Sequence, residues 1–223
     1  MRALILLTIF TLVLADNACG QLCGQDYGGQ VAAIHRKAGQ LSGEQPRLLL
    51  VGSSTIRFWP NAEESFPDYR VVNAGFGGSC YSDLWLLRDT LIFAFQPDAL
   101  IIYEGDNDLN DRVSVSDILT SARLLFDEIR NRLPNTKVVV VAPKPSLARQ
   151  QLSENYQVLN DSLGRLTAQK GFSFLNLWSA MHRPNGVVNE DLFIADGLHM
   201  NQSGYDLWVT EMHRQLSWLA PEK

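Results

Sequence analysis

A three-layer α/β sandwich on a five-stranded parallel sheet is the fold class that the sequence predicts, and three observations predict it. Five short runs are almost continuously apolar, as strands covered on both faces must be. The stretches between the later runs repeat their apolar residues with helical period. Strand and helix therefore alternate, and strands joined through helices lie parallel with right-handed crossovers, which stacks helices on both faces of one sheet. The 223 residues, 46% hydrophobic and 19% charged, suit a soluble chain with one substantial core. A formal charge of -5 with no long basic run argues against nucleic acid as a partner, because phosphate contacts need clustered Lys and Arg.

Along the chain, residues 1–15 read as a signal peptide: Arg2, an apolar run from Ala3 to Leu14, then "VLA", with cleavage expected after Ala15. That run is shorter than the roughly 20 residues a spanning helix needs. The mature chain is therefore expected to carry no transmembrane segment and to be secreted or periplasmic. Residues 16–30 form a Cys/Gly-rich leader, and residues 31–223 a single domain. In an exported chain Cys19, Cys23 and Cys80 can oxidise; the odd count leaves one over, and Cys19 with Cys23 is the simplest pair. Lipid attachment at Cys19 is disfavoured by Asp16, which stands where a lipobox has an aliphatic residue.

The strands are expected at "RLLLV" (47–51), "YRVVN" (69–73), "ALIIYE" (99–104), "KVVVVAP" (137–143) and "FSFLNLW" (172–178). Between the third and fourth, "SVSDILTSARLLFDEIRNRLPN" carries Ser114 and Asp117 as an N-terminal capping pair. Ile118, Ala122, Leu125 and Ile129 lie on one face, and Pro134 is a stop. Between the fourth and fifth, "NYQVLNDSLGRLTAQKG" places Leu159, Leu163 and Leu166 on one face and ends at Gly171. "GYDLWVTEMHRQLSWL" reads as a last amphipathic helix.

In such a sheet ligands gather at the carboxyl ends of the strands, where loops converge and helix N-termini present free N–H groups. The first strand ends in Gly52-Ser53-Ser54, the second leads into "NAGFGGSCYSDL", the third into "EGDNDLND", and the segment after the fifth carries "ADGLHMN". Either serine could be a nucleophile once a base takes its proton, and His199 is the side chain suited to that task. Asp196, three residues earlier, can reach the other ring nitrogen within one local turn. Asn107 offers a side-chain NH2 to a developing oxyanion, and Gly78, without a Cβ, lets a substrate approach its backbone N–H. Taken singly, these motifs also read as turns and helix caps. His35, His182 and His213 have no evident partners in the sequence, and Phe58 and Trp59 are expected in the core. No His-Glu-x-x-His or other closely spaced ligand set points to a metal, and no cofactor is expected.

"VGSST", "GFGGS", "EGDND" and "DGLHMN", in this order, resemble the four signature blocks of the SGNH or GDSL-type hydrolases, in a branch with "GSSxxRxW" in its first block. The resemblance implies a flavodoxin-like α/β/α sandwich, Ser54 as nucleophile, His199 as base, Asp196 as its partner, and Ser54, Gly78 and Asn107 as oxyanion-hole donors. Ser53 stands where the family usually has Asp, which alters the electrostatics beside the nucleophile. The implied function is a serine esterase acting on a small ester, lipid or acylated sugar. Lysophospholipase and acyl thioesterase are the alternatives within the family, and a non-catalytic binding module on the same fold is the alternative of another class. A dinucleotide-dependent oxidoreductase fits less well, because Cys80 replaces the third glycine of the Gly-rich turn and no acidic residue follows at the right distance.

Overall fold

The computed structural model of the chain describes residues 26–221. The signal peptide read over residues 1–15, Cys19 and Cys23 lie outside the described residues. Five strands, β1 (Arg47–Gly52), β2 (Arg70–Gly75), β3 (Ala99–Tyr103), β4 (Lys137–Val141) and β5 (Ser173–Leu175), form one sheet in the order β2-β1-β3-β4-β5. Every pairing is parallel. This is the doubly wound, flavodoxin-like order, with its switch point at β1 between β2 and β3.

The period of two in the strands divides the core. Leu49, Val51, Leu100, Ile102, Val138 and Val140 bury one face of the sheet. Against it lie α1 (Gly28–Ala38), α4 (Tyr81–Leu86), α7 (Val115–Arg132) and α8 (Ser153–Gln169), through residues such as Ile34, Leu84, Leu125 and Leu163. Leu48, Leu50, Ile101, Tyr103, Val139 and Val141 bury the other face, against α2 (Ser54–Arg57), α3 (Ala62–Ser65) and α9 (Gln202–Gln215). Two further short helices, α5 (Arg88–Leu91) and α6 (Asp106–Asn110), follow α4 and β3.

The capping pair behaves as expected: Ser114 Oγ accepts the Asp117 N–H at 3.2 Å, and α7 ends at Arg132 before Pro134. Three expectations need adjustment. The helix α1 opens at Gly28, and Tyr27 is buried, packed edge-on against Phe76, so folded structure begins inside the segment read as a leader. The fifth strand keeps only three of its seven expected residues, because Asn176 Oδ1 accepts the Trp178 N–H and turns the chain away. Cys80, before α4, is disulfide-bonded, whereas the simplest pairing read from the sequence left it over. Among the described residues no helix is long and apolar enough to cross a membrane.

Candidate active site

The site is built on the central strand and its two neighbours. β1 ends at Gly52, whose φ is +146° and where a Cβ would stand 2.1 Å from the Tyr103 carbonyl oxygen; a side chain there is excluded twice over. The Ser53 N–H donates to that same carbonyl at 3.3 Å, and the chain turns at once into α2 with Ser54 as its first residue. Its own N–H is one of the first-turn donors that no helical carbonyl can satisfy. At Gly75 the end of β2 meets α2 backbone to backbone: a Cβ would lie 2.2 Å from the Arg57 nitrogen. Asn73 Nδ2 donates to the Ile56 carbonyl at 2.7 Å across the same junction. Ser53 is 2% exposed, whereas Ser54 reaches the surface and its Oγ lies 2.8 Å from His199 Nε2.

His199 sits on a tight turn at the tip of a hairpin marked by the Phe193–Met200 bridge. Gly197, at φ +65°, lets the chain reverse. Asp196 uses both oxygens: Oδ1 accepts the N–H groups of Leu198 (2.8 Å) and His199 (2.9 Å), and Oδ2 lies 2.6 Å from His199 Nδ1. Burial works to raise this carboxyl, but the His199 ring and the two backbone N–H groups hold it below the usual carboxylate range. As a carboxylate it can only accept, so Nδ1 carries the proton and Nε2 is left to accept from Ser54 Oγ. Asp196 is not a helix cap: α9 is capped by Asn201, which accepts from the Gly204 N–H at 3.2 Å.

Phe58 corrects the expectation for the core. It is 50% exposed and stands edge-on to His199, ring centres 5.1 Å apart, because four residues after Ser54 on a helical turn it lies on the same side. Trp59 does enter the core, stacked on Tyr205 and edge-on to Trp208.

The expected oxyanion donors come from the strands on either side of β1. Gly78 follows β2 with φ +83°, its carbonyl accepting from Tyr27 Oη at 3.2 Å. Asn107 follows β3 on α6; its Nδ2 donates to the Ser79 carbonyl at 2.9 Å, which leaves one amide hydrogen over. Arg149 donates to Asn107 Oδ1 at 3.1 Å. Three strand ends thus bring Ser54, Gly78 and Asn107 to one edge, and the hairpin after β5 brings Asp196 and His199 over it.

Beneath the edge lies a charged interior that the sequence did not reveal. The Asp106 carboxylate pairs with Arg149 and receives the hydroxyls of Tyr156 and, at 3.0 Å, Tyr103. Burial alone would raise Asp106; the Lys144 and Arg149 charges and these hydrogen bonds hold it below its ordinary value. Lys144 is 1% exposed, and its Nζ donates to the Leu198 carbonyl at 2.6 Å. Glu104, which accepts from Ser79 Oγ at 2.6 Å, is driven well above the usual range by burial and by the Asp108 charge. Asp108 is pushed up to about 7, chiefly by burial. Lys144 and Arg149 stand in "KPSLAR", a stretch with no periodicity or motif spacing to mark it.

The remaining histidines pack elsewhere: His35 stacks on Phe95, His182 bonds the Trp178 carbonyl at 2.7 Å, and His213 lies edge-on to Phe66. Among the described residues no group of three His, Cys, Asp or Glu side chains is placed to hold a metal. A cavity of about 490 Å³ opens between α1 and the free edge of β2, with Gln30, Lys37, Arg57, Asn61 and Asn73 in its wall; Ser54 and His199 do not line it.

A sequence model of the GDSL-like Lipase/Acylhydrolase family matches residues 50–207. The fold is similar to a candidate acylhydrolase from Bacteroides fragilis, with TM-score 0.73 and 16% identity over 87% of this chain and 99% of that one. It is similar to a GDSL-like lipase from Bacteroides thetaiotaomicron, with TM-score 0.70 and 15% identity over 84% and 97%. A catalytic serine-to-alanine mutant of an acetylxylan esterase from Geobacillus stearothermophilus gives TM-score 0.67 and 14% identity over 82% and 100%. At these identities the likeness is one of fold. No curated protein matches the chain in sequence.

Proposed function

Because the chain belongs to the GDSL-like lipase/acylhydrolase family, we propose that it is a serine esterase that cleaves short-acyl or O-acetyl carboxylic esters through an acyl-enzyme. The observation that carries this reading is the unbroken line from Asp196 Oδ2 to His199 Nδ1 at 2.6 Å and from His199 Nε2 to Ser54 Oγ at 2.8 Å. Ser54 Oγ attacks the ester carbonyl while His199 Nε2 takes its proton, and Asp196 holds the ring and offsets the imidazolium charge. The oxyanion meets the N–H groups of Ser54 and Gly78 and the spare amide hydrogen of Asn107. Collapse expels the alcohol, protonated by His199. Water, deprotonated by the same nitrogen, then attacks the acyl-Ser54 ester and releases the acid.

The preference for short acyl groups rests on packing. The segment that delivers Asp196 and His199 is long, yet Met181, Val188, Leu192, Phe193 and Met200 are spent in the core, which leaves Val187 and Ile194 as its exposed large apolar side chains. Phe58 is left as a small apolar wall beside His199. A chain extended past a few methylenes therefore stays in water and forgoes most of the roughly 0.8 kcal/mol that each buried methylene supplies. The acetylxylan esterase among the similar structures fits an acetyl substrate, and the catalytic serine and aspartate mutants of that enzyme fit the roles of Ser54 and Asp196. Export of the chain remains part of the proposal, and N-terminal sequencing that finds Asp16 first on the mature protein supports it.

A fluorophosphonate probe and p-nitrophenyl esters from acetyl to palmitoyl, used below micellar concentrations, test the reading together. The expected result is labelling of the protein but not of Ser54→Ala, with kcat/KM highest from acetyl to butyryl. Absence of labelling returns the fold to a binding role. A steady rise of kcat/KM to dodecanoyl favours a lysophospholipase, and faster cleavage of the matching thioesters an acyl thioesterase.

A further inference from the structure

We infer that Arg149 is a positioning residue that fixes which end of the Asn107 amide faces the reaction, an inference that rests on the acyl-transfer reading above. The two ends of a carboxamide have the same shape, so only their partners decide which way it points. Both partners of Asn107 decide the same way. The Ser79 carbonyl can only accept and takes Nδ2 at 2.9 Å; the Arg149 guanidinium can only donate and gives Nη2 to Oδ1 at 3.1 Å. Rotating the amide by half a turn would set NH2 against guanidinium and oxygen against oxygen. An oxyanion donor turned the wrong way is an oxyanion repeller, so this orientation bears directly on the barrier.

The guanidinium is itself held. Arg149 is 9% exposed; its Nη1 pairs with the Asp106 carboxylate and donates to the Asp106 carbonyl at 3.0 Å. That carboxylate is fixed in turn by Tyr156 and Tyr103. Arg149 lies in the connection between β4 and α8, 42 residues from Asn107. The same connection reaches the acid–base turn, through Lys144 Nζ on the Leu198 carbonyl at 2.6 Å and the Ala148 N–H on the Gly197 carbonyl at 3.0 Å. One segment, residues 144–149, thus braces Asn107 with one buried cation and the turn carrying Asp196 and His199 with the other.

The test is a double-mutant cycle on p-nitrophenyl acetate hydrolysis, with kcat and KM measured for Arg149→Met and Arg149→Lys, each alone and combined with Asn107→Ala. Arg149→Met is expected to lower kcat about tenfold or more with little change in KM, and Arg149→Lys, which keeps a donor, to recover part of it. With Asn107→Ala in place, either change should alter kcat by less than roughly twofold, because there is no amide left to aim. If Arg149→Met fails to fold through its unpaired Asp106, Arg149→Lys carries the same cycle. Equal losses with and without Asn107, or an effect confined to KM, overturn the inference alone. An Asn107→Ala enzyme with unchanged kcat overturns the oxyanion role of Asn107 and the inference with it.

Discussion

Ser53 and Ser54 are neighbours in sequence and opposites in environment. Gly52 forces the chain over at φ +146°, which turns Ser53 under the strand end and Ser54 out toward His199. Ser54→Ala is accordingly expected to reduce ester hydrolysis to background, whereas Ser53→Ala keeps most of it, as measured by kcat/KM on p-nitrophenyl acetate. A larger loss at Ser53 would show the wrong hydroxyl to have been chosen. At this scale the sequence is most informative where chemistry is local. Asp196 and His199 are three residues apart, and a turn with Gly197 brings their side chains together within a single local stretch. It is least informative where one side chain serves another across the chain: the aim of Asn107 is set by Arg149 from another loop, and nothing in "EGDND" or "KPSLAR" announces it. Phe58 falls between these cases. Its aromatic type suggests burial, and only its place four residues after Ser54 puts it beside the imidazole.

The elements follow their signals in proportion to their length. The long helices α7 and α8 and the first four strands lie within a few residues of where periodicity and apolar runs put them. The helices α2, α3, α5 and α6 were not legible, because four to five residues are too few to display a period. α1 was hidden by its glycines at 28 and 29, although Val31 and Ile34 already mark the face it buries. Among contacts between elements, the one between β2 and α2 matters most to the site, because the α2 backbone at Ile56 and Arg57 rests on Gly75 and the same four-residue helix starts at Ser54. Gly75→Ala places a methyl 2.2 Å from a backbone nitrogen, which no rotamer can relieve. We expect it to destabilise the fold by about 1–3 kcal/mol, as overpacking does, and to lower kcat because Ser54 moves with α2. Urea unfolding and steady-state kinetics on the same preparation read the two effects, and an enzyme with both unchanged would show that the junction yields freely.

At the scale of the whole molecule, Glu104 and Asp108 are acidic groups buried against the segment that follows β2. Glu104 accepts from Ser79 Oγ, and Asp108 accepts from the Tyr81 N–H, both buried, with Asp83 adding negative charge nearby. Burial favours the neutral acid, so the folded state holds the Asp108 proton up to about pH 7, while an unfolded chain releases it near the ordinary Asp value of about 3.9. Between those values the folded state binds more protons than the unfolded one, so stability falls as pH rises. The contribution is fully present below about pH 4 and is lost as pH climbs through about 7, by at most about 1.4 kcal/mol per pH unit. Asp106 and Asp196, held below their ordinary values, act in the opposite sense and lower stability in acid. The bare pH profile of the protein is therefore a sum, and a difference between two proteins isolates one member of it. Asp108→Asn keeps an oxygen for the Tyr81 N–H and removes the titration. Its Tm should gain steadily on that of the natural protein as pH rises from about 4 to about 7, since only the natural protein must then either keep a costly proton or bury a charge. Thermal melts of both proteins at intervals of half a pH unit measure this, and two parallel curves would show that Asp108 is ionised in the fold throughout.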